Sequence, residues 1–211
     1  MSCKYVIGTG AVLDWAVASW REAAPECDIR RVALDQDRSY VFNFEVLAQC
    51  AESASIAGTT AFAAIDQRFL NFRRVELFAE LKAMGFSMPA LISPGAVVSA
   101  SAVIGENVWI GAGAIIGAGC QVGFNAVIGA GANLGSDSRI GNSAWIEAGV
   151  LVGGNAKIGL NATIGHGVIL GDGVEVGKLS IIDRPGRVTA NVAARTFHHA
   201  SYANAMVIVG Q

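Results

Sequence analysis

Three groups of residues in this 211-residue sequence could do chemistry. Ser136 and Asp137 stand side by side, a hydroxyl and a carboxylate, able to hydrogen-bond a nucleophile and accept its proton. The sequence holds three histidines, His166, His198 and His199, so an imidazole base would have to be one of them. The third group is the turn Gly8-Thr9-Gly10, which follows an apolar run, together with Asp35 at the end of the next apolar run. A glycine turn after one strand and an acid after the next fit a nucleotide-binding half-Rossmann layout. The four cysteines (Cys3, Cys27, Cys50 and Cys120) lack metal-type spacing, and the histidines form no zinc set.

The elements that must hold these residues are written most plainly between residues 90 and 183. From Ile92 to Ile182 every sixth residue is aliphatic, sixteen times without a slip. The residue two before is small, Ala in nine cases, and the residue after is Gly in twelve. A six-residue period is the signature of a parallel β-helix, three short strands to each coil of 18 residues. The aliphatic residue points inward. The small residue lies beside it, and the Gly is expected to supply the positive φ of each corner. Cys120 occupies a small inward position and reads as core. The repeat accounts for the 53% hydrophobic and 15% charged composition and for the 26 glycines.

Residues 1–88 read differently. Strands are predicted over 4–8, 29–34 and 60–65, and helices over 11–24, 44–52 and 69–84. That alternation implies a small parallel α/β domain. The last segment, 184–211, is expected to leave the repeat, with a strand or two (197–199, 206–209) packed on the end coil. No apolar run is long enough to span a membrane. The start of the chain does not have a signal-peptide layout, which points to the cytoplasm. A net charge of −2 without a basic run argues against nucleic acid as a partner.

The residue before each inward aliphatic faces out, and reading every 18 residues separates three faces. Face A carries Leu91, Trp109, Val127, Trp145, Thr163 and Ile181. Face B carries Val97, Ile115, Asn133, Leu151 and Ile169. Face C carries Val103, Gln121, Arg139, Lys157 and Glu175, and is solvated. Faces A and B are apolar and need cover, which predicts a homotrimer with the A/B corner toward its axis. Grooves would then run between rods, lined by the B/C corner (Ser136-Asp137, Gly154-Asn155) and the C/A corner (Phe124-Asn125, Asn142-Ser143). His166 falls on the A/B corner, where catalytic and structural roles both stay open.

The strand–Gly-turn start, the stretch FAELKAMGFSMPALISPGAVVSASA (residues 78–102) and the coil 125–159 together resemble bacterial sugar-nucleotide acetyltransferases of the bacillosamine N-acetyltransferase and sialic-acid O-acetyltransferase type. The resemblance covers residues 4 to about 177. It implies a Rossmann-like domain (1–88) that binds a nucleotide-linked sugar, a trimeric left-handed β-helix (89–183), and acetyl-CoA as co-substrate in the groove. It also implies UDP-, dTDP- or GDP-linked amino sugars as partners and a role in surface-polysaccharide synthesis. Gly8, Thr9, Gly10, Asp35, Asp37 and Asp66 are then expected at the sugar nucleotide. Asn133 and Asn155 are expected near the acceptor, and Gly153, Gly154, Asn142, Gly171 and Asp172 along the coenzyme.

The family's Glu-His-Asp run falls on Gly135-Ser136-Asp137, so the histidine base is missing. The family's Gly-Gly-His turn is altered to Gly8-Thr9-Gly10-Ala11. An amine acceptor tolerates that loss better than a hydroxyl. With a pKa of about 8, a useful fraction of it, about a tenth, carries a free lone pair at pH 7. Asp137 could orient it or take its proton, Ser136 could hydrogen-bond it, and the N–H of Gly153 or Gly154 could stabilise the oxyanion. The alternatives are O-acetylation with His198 or His199 as base, or a scaffold that only binds.

Overall fold

The structure, a computed structural model, describes residues 3–35, 47 and 59–208. It divides into two compact units, one of residues 1–66 and 73–89, the other of 67–72 and 90–211.

In the first unit, β1 (Cys3–Gly8), β2 (Asp28–Ala33) and β3 (Thr60–Ala64) form a parallel sheet in the order β2-β1-β3. β1 is central and almost wholly buried, which explains its apolar run Tyr5-Val6-Ile7. The connecting helix α1 (Gly10–Ala23) buries Val12, Leu13, Ala16, Val17 and Trp20, an i, i+1, i+4, i+5, i+8 stripe. Helix α2 (Phe72–Ala83) buries Leu77 and Leu81 in the core that also holds Tyr5, Ile7, Ala63 and Phe86. These elements lie within a few residues of the predicted ones, except that 69–71 belong to a separate 3-10 turn, Arg68–Asn71. The predicted helix 44–52 lies outside the described residues apart from Leu47, which is helical and buried.

Two cations are buried here. Lys4 Nζ donates to Thr60 Oγ1 (2.7 Å) and lies 3.8 Å from the centre of the Trp20 ring. Burial pulls its ammonium down to about 8. Arg74 is fully enclosed, with Nε donating to the Ala63 carbonyl at 3.4 Å, and burial likewise lowers it.

The second unit is a parallel β-solenoid. The sixteen repeat strands run from β4 (Leu91–Ile92) to β19 (Ile181–Asp183), and every third strand pairs in parallel register. Three flat sheets result, corresponding to faces A, B and C. The inward aliphatics and their small neighbours, Cys120 among them, form one continuous buried core. Each inward Val, Ile or Leu contributes about 1.5–3 kcal/mol by leaving water. The first position departs from the pattern: Ile92 is exposed and Leu91 buried, because only one side of the first coil is covered by another coil.

The corner glycines correct a prediction. Positive φ is found not in the Gly after each aliphatic residue but two positions further on, at Gly113, Gly131, Gly149 and Gly167, and also at Asn125, Asp137, Ser143 and Asn155. The Gly after the aliphatic is demanded by the next coil. A methyl on Gly129 would sit 2.4 Å from the Ala148 nitrogen, and one on Gly135 2.6 Å from the Gly154 nitrogen. On the C/A corner the left-handed residues Asn107, Asn125, Ser143 and Asn161 are polar and buried. Asn107 Nδ2 donates to Asn125 Oδ1 (2.8 Å), and Asn125 Nδ2 donates to Ser143 Oγ (3.0 Å).

The tail carries the two expected strands, at 196–199 and 206–207, but residues 184–199, though they lose the repeat's pattern, continue the solenoid. They build one more coil: β20 (Gly186–Val188) extends face B beside β17 (Val168–Leu170), Val192 bridges to Val176 on face C, and β21 (Thr196–His199) extends face A beside β19. β22 (Met206–Val207) turns back antiparallel on β21. This coil has no hexapeptide period, so the sequence pattern hides it. Backbone pairing, indifferent to side chains, forms it all the same.

Face A is covered in large part within the chain, with Trp109 and Ile181 left half-buried. Val127, Trp145 and Thr163 are already buried within the chain. The segment 67–72 bonds to this face: Gln67 Nε2 to Glu147 Oε1 (3.0 Å), Asn161 Nδ2 to the Leu70 carbonyl (2.8 Å), and Asn71 Nδ2 to Thr163 Oγ1 (3.5 Å). Phe69, Leu70 and Asn71 take left-handed φ of 53° to 62° to do so, at a cost of about 1–2 kcal/mol each. Face B does stay open, with Val97, Ile115, Leu151 and Ile169 exposed. Face C is solvated, as expected, and carries a Lys157–Glu175 pair at 2.6 Å.

Candidate functional site

One corner gathers most of the singled-out residues. The B/C corner repeats every 18 residues, so Ser136-Asp137, Gly153-Gly154-Asn155 and Gly171-Asp172 lie on successive coils, roughly 4.8 Å apart. Asn133 lies at the face B edge of the same coil as Ser136.

Asp137 sits at φ 60°, a conformation Asp tolerates. Its N–H donates to the Ala118 carbonyl (2.8 Å). Its carboxylate leans over Gly119, where a methyl would come within 2.2 Å of Oδ1. Glycine at 119 is therefore what lets that carboxylate lie along the corner. Asp137 is exposed, and its carboxylate accepts no hydrogen bond from any described residue, so its lone pairs are open to a proton. Ser136 is exposed beside it, and its N–H likewise has no partner among the described residues.

The neighbouring amides are not open. The Gly153 N–H is held by the Leu170 carbonyl (2.9 Å), and the Asn155 N–H by the Ser136 carbonyl (2.9 Å). The Gly154 N–H donates to Asp172 Oδ1 at 2.8 Å. This corrects the expectation of a free oxyanion donor at Gly153 or Gly154. The Gly153 amide belongs to the strand ladder, and the Gly154 amide is capped by a carboxylate. Nothing in the repeat signals that cap, because Asp172 is 18 residues away and meets Gly154 only when coils stack.

The other singled-out residues lie elsewhere on the solenoid. Asn142 is on the C/A corner, its Oδ1 over Gly123. His166 is on the A/B corner, with Nε2 3.5 Å from Glu147 Oε2 and Nδ1 3.3 Å from the Ala148 carbonyl. Both ring nitrogens face acceptors, and Glu147 is further held by Gln67. His198 and His199 are on β21, in the face A sheet, across the prism from the B/C corner. His198 Nε2 lies 3.1 Å from Thr196 Oγ1, and His199 Nδ1 accepts from the Ser201 N–H (3.1 Å).

In the first unit, Gly8 ends β1, Thr9 and Gly10 turn into α1, Asp35 follows β2, and Asp66 follows β3, all at the carboxyl edge of one parallel sheet. Ligands of open α/β sheets bind at that edge. Gly8 is required by packing, since a methyl there would sit 1.8 Å from the Ala64 carbonyl oxygen, while Gly10 has φ 57°. Asp35 is exposed and Asp66 half-buried. Asp37 lies outside the described residues.

Comparison with known proteins agrees with this architecture. The family "Bacterial transferase hexapeptide (six repeats)" matches residues 101–136 and 137–172. No curated protein matches the sequence. Among solved structures, a mutant of GDP-perosamine N-acetyltransferase from Caulobacter crescentus, in complex with CoA and GDP-perosamine, is 26% identical. It has a TM-score of 0.84, covering 98% of this chain and 97% of that one. The acetyltransferase domain of PglB from Neisseria gonorrhoeae is 22% identical, with a TM-score of 0.79 and coverage of 93% and 96%. A mutant of AntD, an N-acyltransferase from Bacillus cereus in complex with dTDP-4-amino-4,6-dideoxyglucose and coenzyme A, is 16% identical, with a TM-score of 0.53 and coverage of 64% and 89%. The last two show a shared fold. The repeat match places transferase hexapeptide repeats in residues 101–172, and the likeness to the perosamine enzyme extends over nearly the whole chain. Among the described residues, no helix is long and apolar enough to cross a membrane.

Proposed function

We propose that this chain is an acetyl-CoA-dependent N-acetyltransferase that acylates the amine of a nucleotide-linked amino sugar for surface-polysaccharide synthesis, without a histidine base. The observation that carries the reading is the likeness, over both units, to an N-acetyltransferase solved with CoA and GDP-perosamine. The first unit holds the nucleotide at the carboxyl edge of its sheet. The second works as a left-handed coil stack in a trimer, with face B as the surface between copies.

The chemistry follows from the B/C corner. The neutral amine attacks the thioester carbonyl carbon, and its proton is lost only after the C–N bond forms. Asp137 is the acceptor for that proton, because its carboxylate is exposed and unbonded. Ser136 contributes its free N–H and its hydroxyl to the developing oxyanion or to the amine. The thiolate of CoA leaves as the tetrahedral intermediate collapses. His166 stays outside this chemistry, both of its nitrogens facing acceptors.

The test is thiol release from acetyl-CoA against UDP-, dTDP- and GDP-linked amino sugars. Turnover with an amino sugar, lowered in Asp137→Asn and kept in His166→Asn, is the expected result. Turnover that survives Asp137→Asn and is lost in His166→Asn would move the chemistry to the A/B corner and overturn this site.

A further inference from the structure

The last coil leaves an open end. Among the described residues, β20 is the final strand of its sheet and pairs only with β17. Its register is Val168↔Gly186, Ile169↔Arg187 and Leu170↔Val188, with the Gly186 N–H bonded back to the Gly167 carbonyl. Successive residues of a parallel strand bond to opposite sides. The N–H groups of Arg187 and Thr189 therefore face away from β17, toward the open end, where no further coil takes them.

A cavity of about 500 Å³ lies at this end, lined by Ile182, Arg184, Arg187, Thr189, Asn191 and His198 among others. Among the described residues, no carboxylate lines it. Arg184 and Arg187 are exposed and have no ion pair among the described residues. Asp183, the acid nearest in sequence, is turned back onto the preceding coil, its Oδ1 lying 3.0 Å from where a Gly165 methyl would be. The inward slot that every earlier coil fills with an aliphatic is filled here by His198, paired in register with Ile182. A polar ring closes the floor where a greasy one would seal it.

Two guanidinium forks, two unpaired backbone donors and an imidazole, with no opposing acid, make a receptor for an oxyanion. We propose that this open end binds a phosphomonoester group, with Arg184 and Arg187 as its cationic arms and the Arg187 and Thr189 N–H groups as neutral donors. The cavity falls within the roughly 300–1,000 Å³ of small-ligand sites and exceeds what inorganic phosphate fills, so the phosphate is carried on a larger molecule. The same chemistry has two sources, the 3′-phosphate of coenzyme A or a separate phosphorylated metabolite. Binding here does not require that the B/C corner transfer acetyl groups.

The experiment is calorimetric titration of the full chain with coenzyme A, dephospho-coenzyme A and inorganic pyrophosphate, on wild type and on the Arg184→Gln/Arg187→Gln double variant. Both arginines are exposed, so an unchanged melting temperature is expected. If coenzyme A is the source, it binds about tenfold or more tighter than its dephospho form, the worth of a charge-assisted hydrogen bond or two, and the double variant erases that ratio. If the source is a separate metabolite, the two coenzyme forms bind alike, while pyrophosphate binds to wild type and not to the double variant. A double variant that leaves the coenzyme ratio and pyrophosphate binding both unchanged overturns the site, as does the absence of any phosphate-dependent binding to wild type. Thiol release, measured separately, reports on acetyl transfer and can fail or succeed without altering either outcome.

Discussion

Gly129 and Gly131 occupy the same corner of the same coil, and a methyl group should affect them very differently. At Gly129 φ is ordinary, and the added Cβ would lie 2.4 Å from the Ala148 nitrogen, 2.6 Å from the Glu147 carbonyl carbon and 2.8 Å from the Ala148 Cα. All three are backbone atoms of the next coil, tied into the ladder by the Gly129 N–H to Ile146 carbonyl bond of 2.7 Å. No side chain can rotate away, so coils must separate or twist. Overpacking of this kind costs about 3 kcal/mol or more. At Gly131 φ is 66° and nothing lies within 4 Å of the added methyl within the chain. The cost there is the left-handed conformation alone, about 1–2 kcal/mol, partly offset by the lower entropy of the unfolded chain. Urea denaturation of Gly129→Ala and Gly131→Ala should therefore show Gly129→Ala less stable by at least about 1 kcal/mol at equal m-value, on the overpacking and left-handed costs above. Equal costs, or a larger cost at Gly131, would mean that the repeat glycine serves backbone conformation and that the inter-coil contact is not what demands it.

Three further outcomes are expected. The Lys4 ammonium titrates near 8 in the folded chain and near about 10.4 unfolded, so the unfolded state binds more protons between those values and stability should rise with pH across that window. The penalty for the charged form is fully present below about pH 8, and Lys4→Met should flatten the rise in denaturation midpoints. Asp137→Asn should lower kcat by about 10²–10⁴, the range for a positioned proton acceptor, with an unchanged melting temperature because Asn also tolerates φ 60°. The wild-type kcat/KM profile should show a limb at about pH 8 that follows the acceptor amine. Leu151→Glu on open face B should convert a trimer to monomers in sedimentation while Gln121→Glu on face C leaves assembly intact; a trimer that survives Leu151→Glu would exclude face B as the contact.

Much of this protein could be read from residue order alone. The six-residue period names the inward positions because each is repeated with the same neighbours, and a strict local repeat needs no long-range information to interpret. The parallel α/β start was legible for the same reason: β1 ends in the apolar run Tyr5-Val6-Ile7 and α1 has a clean stripe. The B/C corner set also follows from counting by 18, so Ser136, Asp137, Gly154, Asn155 and Asp172 can be brought together on paper. What counting could not supply was what happens when coils and segments meet. The role of the repeat glycines depends on the backbone of the coil above. The Asp172 cap on Gly154 depends on one side chain's reach across that gap. The cover on face A comes from residues 67–72, which carry no repeat signature and take three left-handed residues to lie there. The final coil is held by backbone pairing to β17, to β18 (Glu175–Val176) and to β19, so it needs no hexapeptide pattern and displays none. Periodic side-chain burial writes itself into sequence, whereas single contacts between distant backbones leave no pattern to read, and only the folded chain decides them.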